Sequence, residues 1–275
     1  MALNINPVNN HREREKGVIV YPVYSRRSEG LSIGINLFPD RKNCTFDCPY
    51  CEVFPFFSQA KFSLEQMEND LRPAINNAVK NNILVKDICF SGNGEPTLSP
   101  AFIEAFKLAE NIRSEISPSS RLVVITNGTG LLNEKIFTFI KEINNSFLDI
   151  WLKLDAGTPD WFNKINRSSV KYEELIGKIK EITLFVPVII QTMLCSINGK
   201  QPSEIEEKKW EYLICHICEK AKGKIRKIQI YGKARPAPED PLACVLPAEY
   251  LEKRGVSLRR AFIKKGIITP VDVYL

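Results

Sequence analysis

Six short runs rich in β-branched residues recur along the chain, each followed by a helical pattern, and this alternation admits few architectures. The runs are 32–37, 87–90, 122–125, 148–154, 185–193 and 227–231. Strands joined through helices pair in parallel, so the fold class expected is α/β. The clearest helix follows 44–51: Ser63 and Gln66 fit a capping box, and Leu64, Met67, Leu71, Ile75 and Val79 repeat at steps of three and four, with Pro73 as an expected bend. Further helices are expected at 100–114, 133–144, 172–182 and 203–222. Neither repeats nor a long linker divide the sequence. It reads as an N-terminal extension (1–30), one core domain (31–240) and a C-terminal helix and tail (241–275).

Six β/α units are too few for a closed eight-stranded barrel, but parallel sheets of either kind present ligands at the carboxyl ends of their strands. Those ends carry, in order, a cysteine loop, "SGNGEPT", "TNGTG", "KLDAGTPDWF", "QTMLCSING" and "YGKARPAPEDP". Turn chemistry alone favours Gly, Asn, Asp and Pro at such places, so each motif also has a purely structural reading.

The cysteine loop, "NCTFDCPYC", sets Cys44, Cys48 and Cys51 in a C-x3-C-x2-C spacing. The first residues lack an apolar signal segment, and no apolar run approaches the length of a membrane span, so a cytoplasmic, reducing setting without membrane partners is expected. In that setting clustered cysteines point to a metal or redox site rather than to disulfides. Structural zinc normally takes four closed ligands, and the other close pair, Cys215 and Cys218, lies far downstream. A 4Fe-4S cluster held by three thiolates leaves one iron open to a substrate or cofactor. Buried, unligated cysteines remain the plain alternative.

"CTFDCPYC", with Tyr50 directly before the third cysteine, resembles the signature of the radical S-adenosylmethionine (SAM) superfamily. Together with "SRRSEGLSIGINLFP", "FSGNGEPTL", "ITNG", "WLKLDAG…FNKINR" and "QIYGKARPAPED", it is similar to the Fe-S oxidoreductase branch related to wyosine-type tRNA-modifying enzymes, over about 25–240. The resemblance implies a partial (β/α)6 TIM-like barrel and a cluster on Cys44, Cys48 and Cys51 whose open iron chelates SAM. It implies an enzyme that reductively cleaves SAM to a 5′-deoxyadenosyl radical, with an electron donor such as flavodoxin or ferredoxin. It also implies SAM contacts along the strand ends. Tyr50 would meet the adenine, or would simply pack under the loop. Gly92, Asn93 and Gly94 would let backbone approach the cofactor, and Glu95 would take its ammonium. Thr126 and Asn127 suit the carboxylate or ribose, or make a plain turn.

Lys153 and Asp155 share a strand face, because side chains alternate with period two. Both are candidates for contact with ribose or substrate, with an internal ion pair as the structural alternative; Gln191 has similar status. Arg41 and Lys42 would offset cluster charge or form a solvated pair. Cys215 and Cys218 lie on the apolar stripe of a helix with Trp210, Leu213, Ile214, Ile217 and Ala221, which favours core packing. Only two histidines, His11 and His216, are present, so histidine-centred catalysis has little material; no P-loop or dinucleotide fingerprint competes.

Substrate class is where the sequence divides. Lysine and arginine exceed aspartate and glutamate, 38 to 32, a modest +6. Asn166 with Arg167 and Lys233 with Arg235 would meet an anionic substrate; with Lys164, the three cations would form a tRNA phosphate footprint. "LSIGINLFP" departs from the wyosine-type pattern, so a small molecule or natural product stands beside tRNA, with an altered direction of SAM cleavage also open. A zinc-stabilised nucleic-acid-binding protein is the non-catalytic alternative.

Overall fold

The computed structural model describes residues 17–143 and 146–275. His11, the first part of the 1–30 extension and the final residue of the helix expected at 133–144 lie outside the described residues. The chain divides into two compact units: one comprises the chain up to Cys44 with Pro55–Thr126 and Asn144–Asp149, the other Thr45–Phe54, Asn127–Ile143 and Ile150–Leu275.

In the first unit, β1 (Val20–Ser25) pairs antiparallel with β2 (Gly30–Ile35), after which α1 (Leu64–Lys80), β3 (Val85–Phe90), α2 (Phe102–Ile116) and β4 (Arg121–Thr126) complete a parallel β2-β3-β4 sheet. Ile33, Ile35, Ile88 and Phe90 are sealed from solvent, as are Leu71 and Ile75 of α1 and Phe102 of α2. The Phe90 and Phe102 rings meet edge-on at 5.8 Å, a geometry that aligns positive ring edge with negative face. Strand β1 was not expected, because Pro22 interrupts its run. Its pairing with a single neighbour in this unit is where proline is tolerated.

Helix α1 runs through Pro73 without a break. Only half of the expected capping box forms: Ser63 Oγ accepts from Gln66 N at 3.0 Å, while the Gln66 side chain donates along the helix to Asp70. The apolar stripe is also narrower than expected. Met67, Leu71 and Ile75 are buried, but Leu64 and Val79 are exposed and Ala78 takes the last buried position.

Strand β5 (Leu148–Lys153) begins in the first unit and ends in the second. The second unit contains α3 (Glu134–Glu142), α4 (Pro159–Ile165), α5 (Tyr172–Ile182), β6 (Val188–Ile197), α6 (Glu204–Lys220), β7 (Ile225–Gly232), β8 (Ala243–Val245), α7 (Ala248–Lys265) and β9 (Val271–Tyr274). Strands β5, β6, β7 and β9 are parallel in that order, and β8 folds back antiparallel on β6. Strand β6 starts later than expected, since half-exposed Phe185 belongs to the turn after α5. The register sets Lys153, Gln191, Gln229 and Asp272 side by side across four strands. Helix α4, seven residues long, went unread; Thr158 caps it and Pro159 opens it. Gly157 just before it is obligatory, because a Cβ there would stand 2.1 Å from the backbone nitrogen of Trp210 on α6. Cys215 and Cys218 are buried on α6, as its stripe implied.

Candidate active site

In the first unit, the loop after β3 is fixed by backbone contacts. Asn43 N donates to Asn93 O at 2.9 Å and Glu95 N to Asn43 O at 2.8 Å, so the residue before Cys44 pairs with Gly94 like a strand. Gly94, at φ 146, has no substitute: an added Cβ would lie 1.8 Å from Asn43 O. Asn36, which the sequence reading passed over, supports the same corner. Its Oδ1 accepts from Phe38 N and Asn93 N, and a Cβ on Gly92 would strike its side chain. The Asn93 side chain donates to Phe38 O at 3.1 Å. Glu95 is 2% exposed, and its Oε1 accepts from Thr97 N, Thr97 Oγ1 and, at 2.7 Å, Thr126 Oγ1. The carboxylate thus has a structural use as well: it caps the 3-10 turn Pro96–Leu98 and ties it to the end of β4. Arg41 forms an exposed pair with Asp40 at 3.6 Å, the solvated alternative.

In the second unit, residues 45–54 of the cysteine loop rest on the ends of β5, β6 and β7 through one hub, Asp155. Its Oδ2 accepts from the Tyr50 hydroxyl and from Asn166 Nδ2 at 2.9 Å, and it lies 3.3 Å from Lys153 Nζ; its Oδ1 accepts from Met193 N at 2.9 Å. The ion pair between Lys153 and Asp155 thus forms. Burial alone would lower the lysine pKa, but Asp155 and then Tyr231 hold it above its ordinary value, so the ammonium persists. Lys153 Nζ also donates to Tyr231 Oη at 2.9 Å and lies 5.0 Å from the centroid of the Tyr50 ring. Burial, reinforced by the Asp155 charge, keeps the Tyr50 phenol protonated well above its usual range.

Asn166 Nδ2 also points at Cys48 Sγ, 3.6 Å away, while Asn166 O accepts from Asp47 N. Burial pushes the Cys48 thiol up to about 12, against Lys153 and the hydrogen bonds of Tyr50 and Asn166, which favour a thiolate. A narrow cavity lined by Phe46, Lys153, Asp155, Phe162, Asn166 and Tyr172 opens beside this network. Asn127 works locally: its Oδ1 accepts from Thr129 N and Oγ1, and its Nδ2 donates to Thr45. Gln191 donates to Gln229 Oε1 at 2.7 Å, whereas its own Oε1 is buried without a hydrogen-bond partner. Gln229 and Tyr231 escaped the sequence reading, yet the alternation of β7 after Lys227 was the signal that placed them on one face with each other.

The three basic residues offered for an anionic substrate are all engaged. Arg167 Nη1 contacts both carboxylate oxygens of Glu239 at 2.8 Å and Asp47 at 3.6 Å; Lys233 pairs with Asp240 at 2.5 Å and Arg235 with Glu52 at 2.9 Å.

None of the three cysteines of the motif is in a disulfide, and among the described residues no three His, Cys, Asp or Glu side chains are gathered closely enough to hold a metal ion. The donor chemistry nevertheless fits an iron-sulfur cluster. Thiolates are its usual ligands, and an amide N–H aimed at Cys48 sulfur is the outer-shell contact that tunes one.

A family model described as the radical SAM superfamily matches residues 41–207, more than half of the chain. A UPF0026 protein of Helicobacter pylori (strain ATCC 700392 / 26695) is 31% identical over 188 residues, covering 66% of this chain and 56% of the relative. The chain thus spans about half the length of the curated relatives it matches. Streptococcus suis SuiB bound to S-adenosylmethionine aligns with a TM-score of 0.66 at 14% identity, over 87% of this chain and 50% of that one. A radical SAM methyltransferase from Sphaerobacter thermophilus gives 0.64 at 16%, over 93% and 69%. At such identities the likeness shows the fold, the partial TIM-like barrel that the family resemblance implied. With the cysteine triplet and the strand-end motifs from "SGNGEP" to "QTMLC" all inside the matched span, the chain belongs to the radical SAM superfamily of enzymes.

Proposed function

We propose that Cys44, Cys48 and Cys51 hold a 4Fe-4S cluster and that the enzyme binds SAM to modify a substrate smaller than tRNA. When bound, such a cluster supplies one electron at an open iron for reductive cleavage of SAM to methionine and a 5′-deoxyadenosyl radical. The electron would come from a donor such as flavodoxin or ferredoxin. The protein's part is to position and to exclude water. Tyr50, locked by its hydroxyl to Asp155, offers a rigid ring face beside Cys51. Lys153 is kept charged for an anionic or oxygen-bearing group, with Asp155 orienting it. The buried, unsatisfied Gln191 Oε1 calls for an N–H or O–H donor, which the cofactor or substrate would supply. Gly92, Asn93 and Gly94 fix the backbone that carries Glu95.

The observation that carries the choice of substrate class is the pairing of Arg167, Lys233 and Arg235 with Glu239, Asp47, Asp240 and Glu52. A phosphate backbone would have to displace those carboxylates before gaining anything. Anaerobic reconstitution tests the first half of the proposal: about four iron per chain are expected, lost in Cys48→Ala and kept in Cys218→Ala. Equal loss in both variants would overturn the ligand assignment. Filter binding tests the second half. Tight tRNA retention that weakens steeply with salt and collapses in Lys164→Ala would return the substrate to tRNA.

A further inference from the structure

The two residues immediately outside the Cys48–Cys51 pair are both acids, Asp47 on one side and Glu52 on the other. Each is caught by an arginine from a distant part of the second unit: Asp47 by Arg167 at 3.6 Å, Glu52 by Arg235 at 2.9 Å. We propose that Arg167 and Arg235 are positioning residues, the two jaws of an ionic clasp that holds the cysteine loop in one conformation. The clasp itself rests only on these contacts; its relevance to a cluster rests on the reading that Cys48 and Cys51 are ligands.

Three features separate this arrangement from scattered surface pairs. The jaws are joined to each other, because Arg167 also grips Glu239, which lies on the same loop as Arg235. That loop is itself prefolded: Lys233, whose side chain is 5% exposed, pairs with Asp240, and Asp240 Oδ2 accepts from Ala237 N. Finally, Arg167 sits at φ 46, a left-handed conformation that follows α4 and that glycine would adopt at no steric cost. A long side chain is kept there despite the backbone penalty, and what the side chain does is bind Glu239 and Asp47. Its neighbour Asn166 completes the grip through Asp47 N and Cys48 Sγ.

The test uses metal-free, reduced protein, with iodoacetamide alkylation followed cysteine by cysteine by peptide mass spectrometry. In the Arg167→Gly, Arg235→Ala double variant, Cys48 and Cys51 should alkylate about three- to tenfold faster, as two partly exposed ion pairs would allow, with Cys89 and Cys218 unchanged. Glu52→Arg combined with Arg235→Glu should restore much of the wild-type rate at Cys51 that either single change loses. Unchanged rates at Cys48 and Cys51, or an equal rise at Cys89 and Cys218, would overturn the clasp whatever the cysteines bind. Iron release to a chelator from reconstituted protein separates the two readings: faster alkylation with unaltered iron release would leave the clasp standing and remove these cysteines from the cluster.

Discussion

Two stretches that carry the family's motifs are held in opposite ways. The "SGNGEP" corner of the first unit is fixed by backbone hydrogen bonds, by neutral side chains of Asn36 and Asn93, and by a glycine pressed against Asn43. Residues 45–54 in the second unit are held at their edges by ion pairs, Asp47 with Arg167 and Glu52 with Arg235, around the buried Tyr50–Asp155 hydrogen bond. The first kind of restraint is short-ranged and indifferent to salt. The second is long-ranged, partly exposed and screened by it. A corner held by hydrogen bonds, with its one carboxylate buried among hydroxyl and amide donors, is little affected by ionic conditions, whereas a loop held by partly exposed ion pairs can open while the fold stays intact.

The largest effect should come from Gly94→Ala, which forces a methyl group to 1.8 Å from Asn43 O. Loss of about 3 kcal/mol or more is expected in urea unfolding, since nearby backbone has to move. A change below about 1 kcal/mol would mean that the corner yields and that the contrast is false.

Next, Glu95→Ala should cost about 1–3 kcal/mol, because Thr97 and Thr126 lose a buried acceptor, whereas Glu95→Gln retains one and should cost less. Calorimetry on reconstituted protein should show weaker SAM binding in both variants, most sharply if the negative charge meets an ammonium. Unaltered SAM affinity in Glu95→Gln would confine this carboxylate to capping.

Salt gives a smaller effect. Raising NaCl to about 1 M should speed amide exchange in 45–54 a few-fold and leave 92–97 unmoved. Equal responses in the two segments would erase the distinction.

The smallest effect concerns a charge that the first unit does bury. Burial raises the pKa of Asp87 above its ordinary 3.8, although Ser28 and Ser32 donate to it. Its contribution to stability is therefore fully present below the unfolded value and is lost as pH rises through the folded one. Asp87→Asn should flatten that decline in unfolding titrations; a wild-type stability that instead increases over this interval would reverse the assignment.

Much of the molecule was legible in one dimension, and the legible parts are those set by local periodicity. Five of the expected helices and all six strands occur within a few residues of their sequence positions, because apolar spacing and caps act over one or two turns. Strand β1 was not legible because Pro22 interrupts its run, and β8, β9 and helix α4 were not because each is short and is held by its neighbours rather than by its own pattern. Among the site residues, Asn36 and Tyr231 sit inside the quoted "LSIGINLFP" and "QIYGKARPAPED" stretches, which by themselves assign them no role; the partners that give them meaning, Asn93 and Lys153, lie 57 and 78 positions away.

What the sequence determined by itself is the chemistry: three thiols at a family's spacing, a glycine-rich turn with a glutamate, and polar strand ends in a parallel α/β chain. What only the tertiary structure decided is which charges are spoken for. Arg167, Lys233 and Arg235 look like free cations in a string of letters, and each has its carboxylate, Arg235 with one from 183 positions away. The physical reason is that the type of a group is written in one residue, while its availability depends on the distance to every other charge, and folding alone sets those distances.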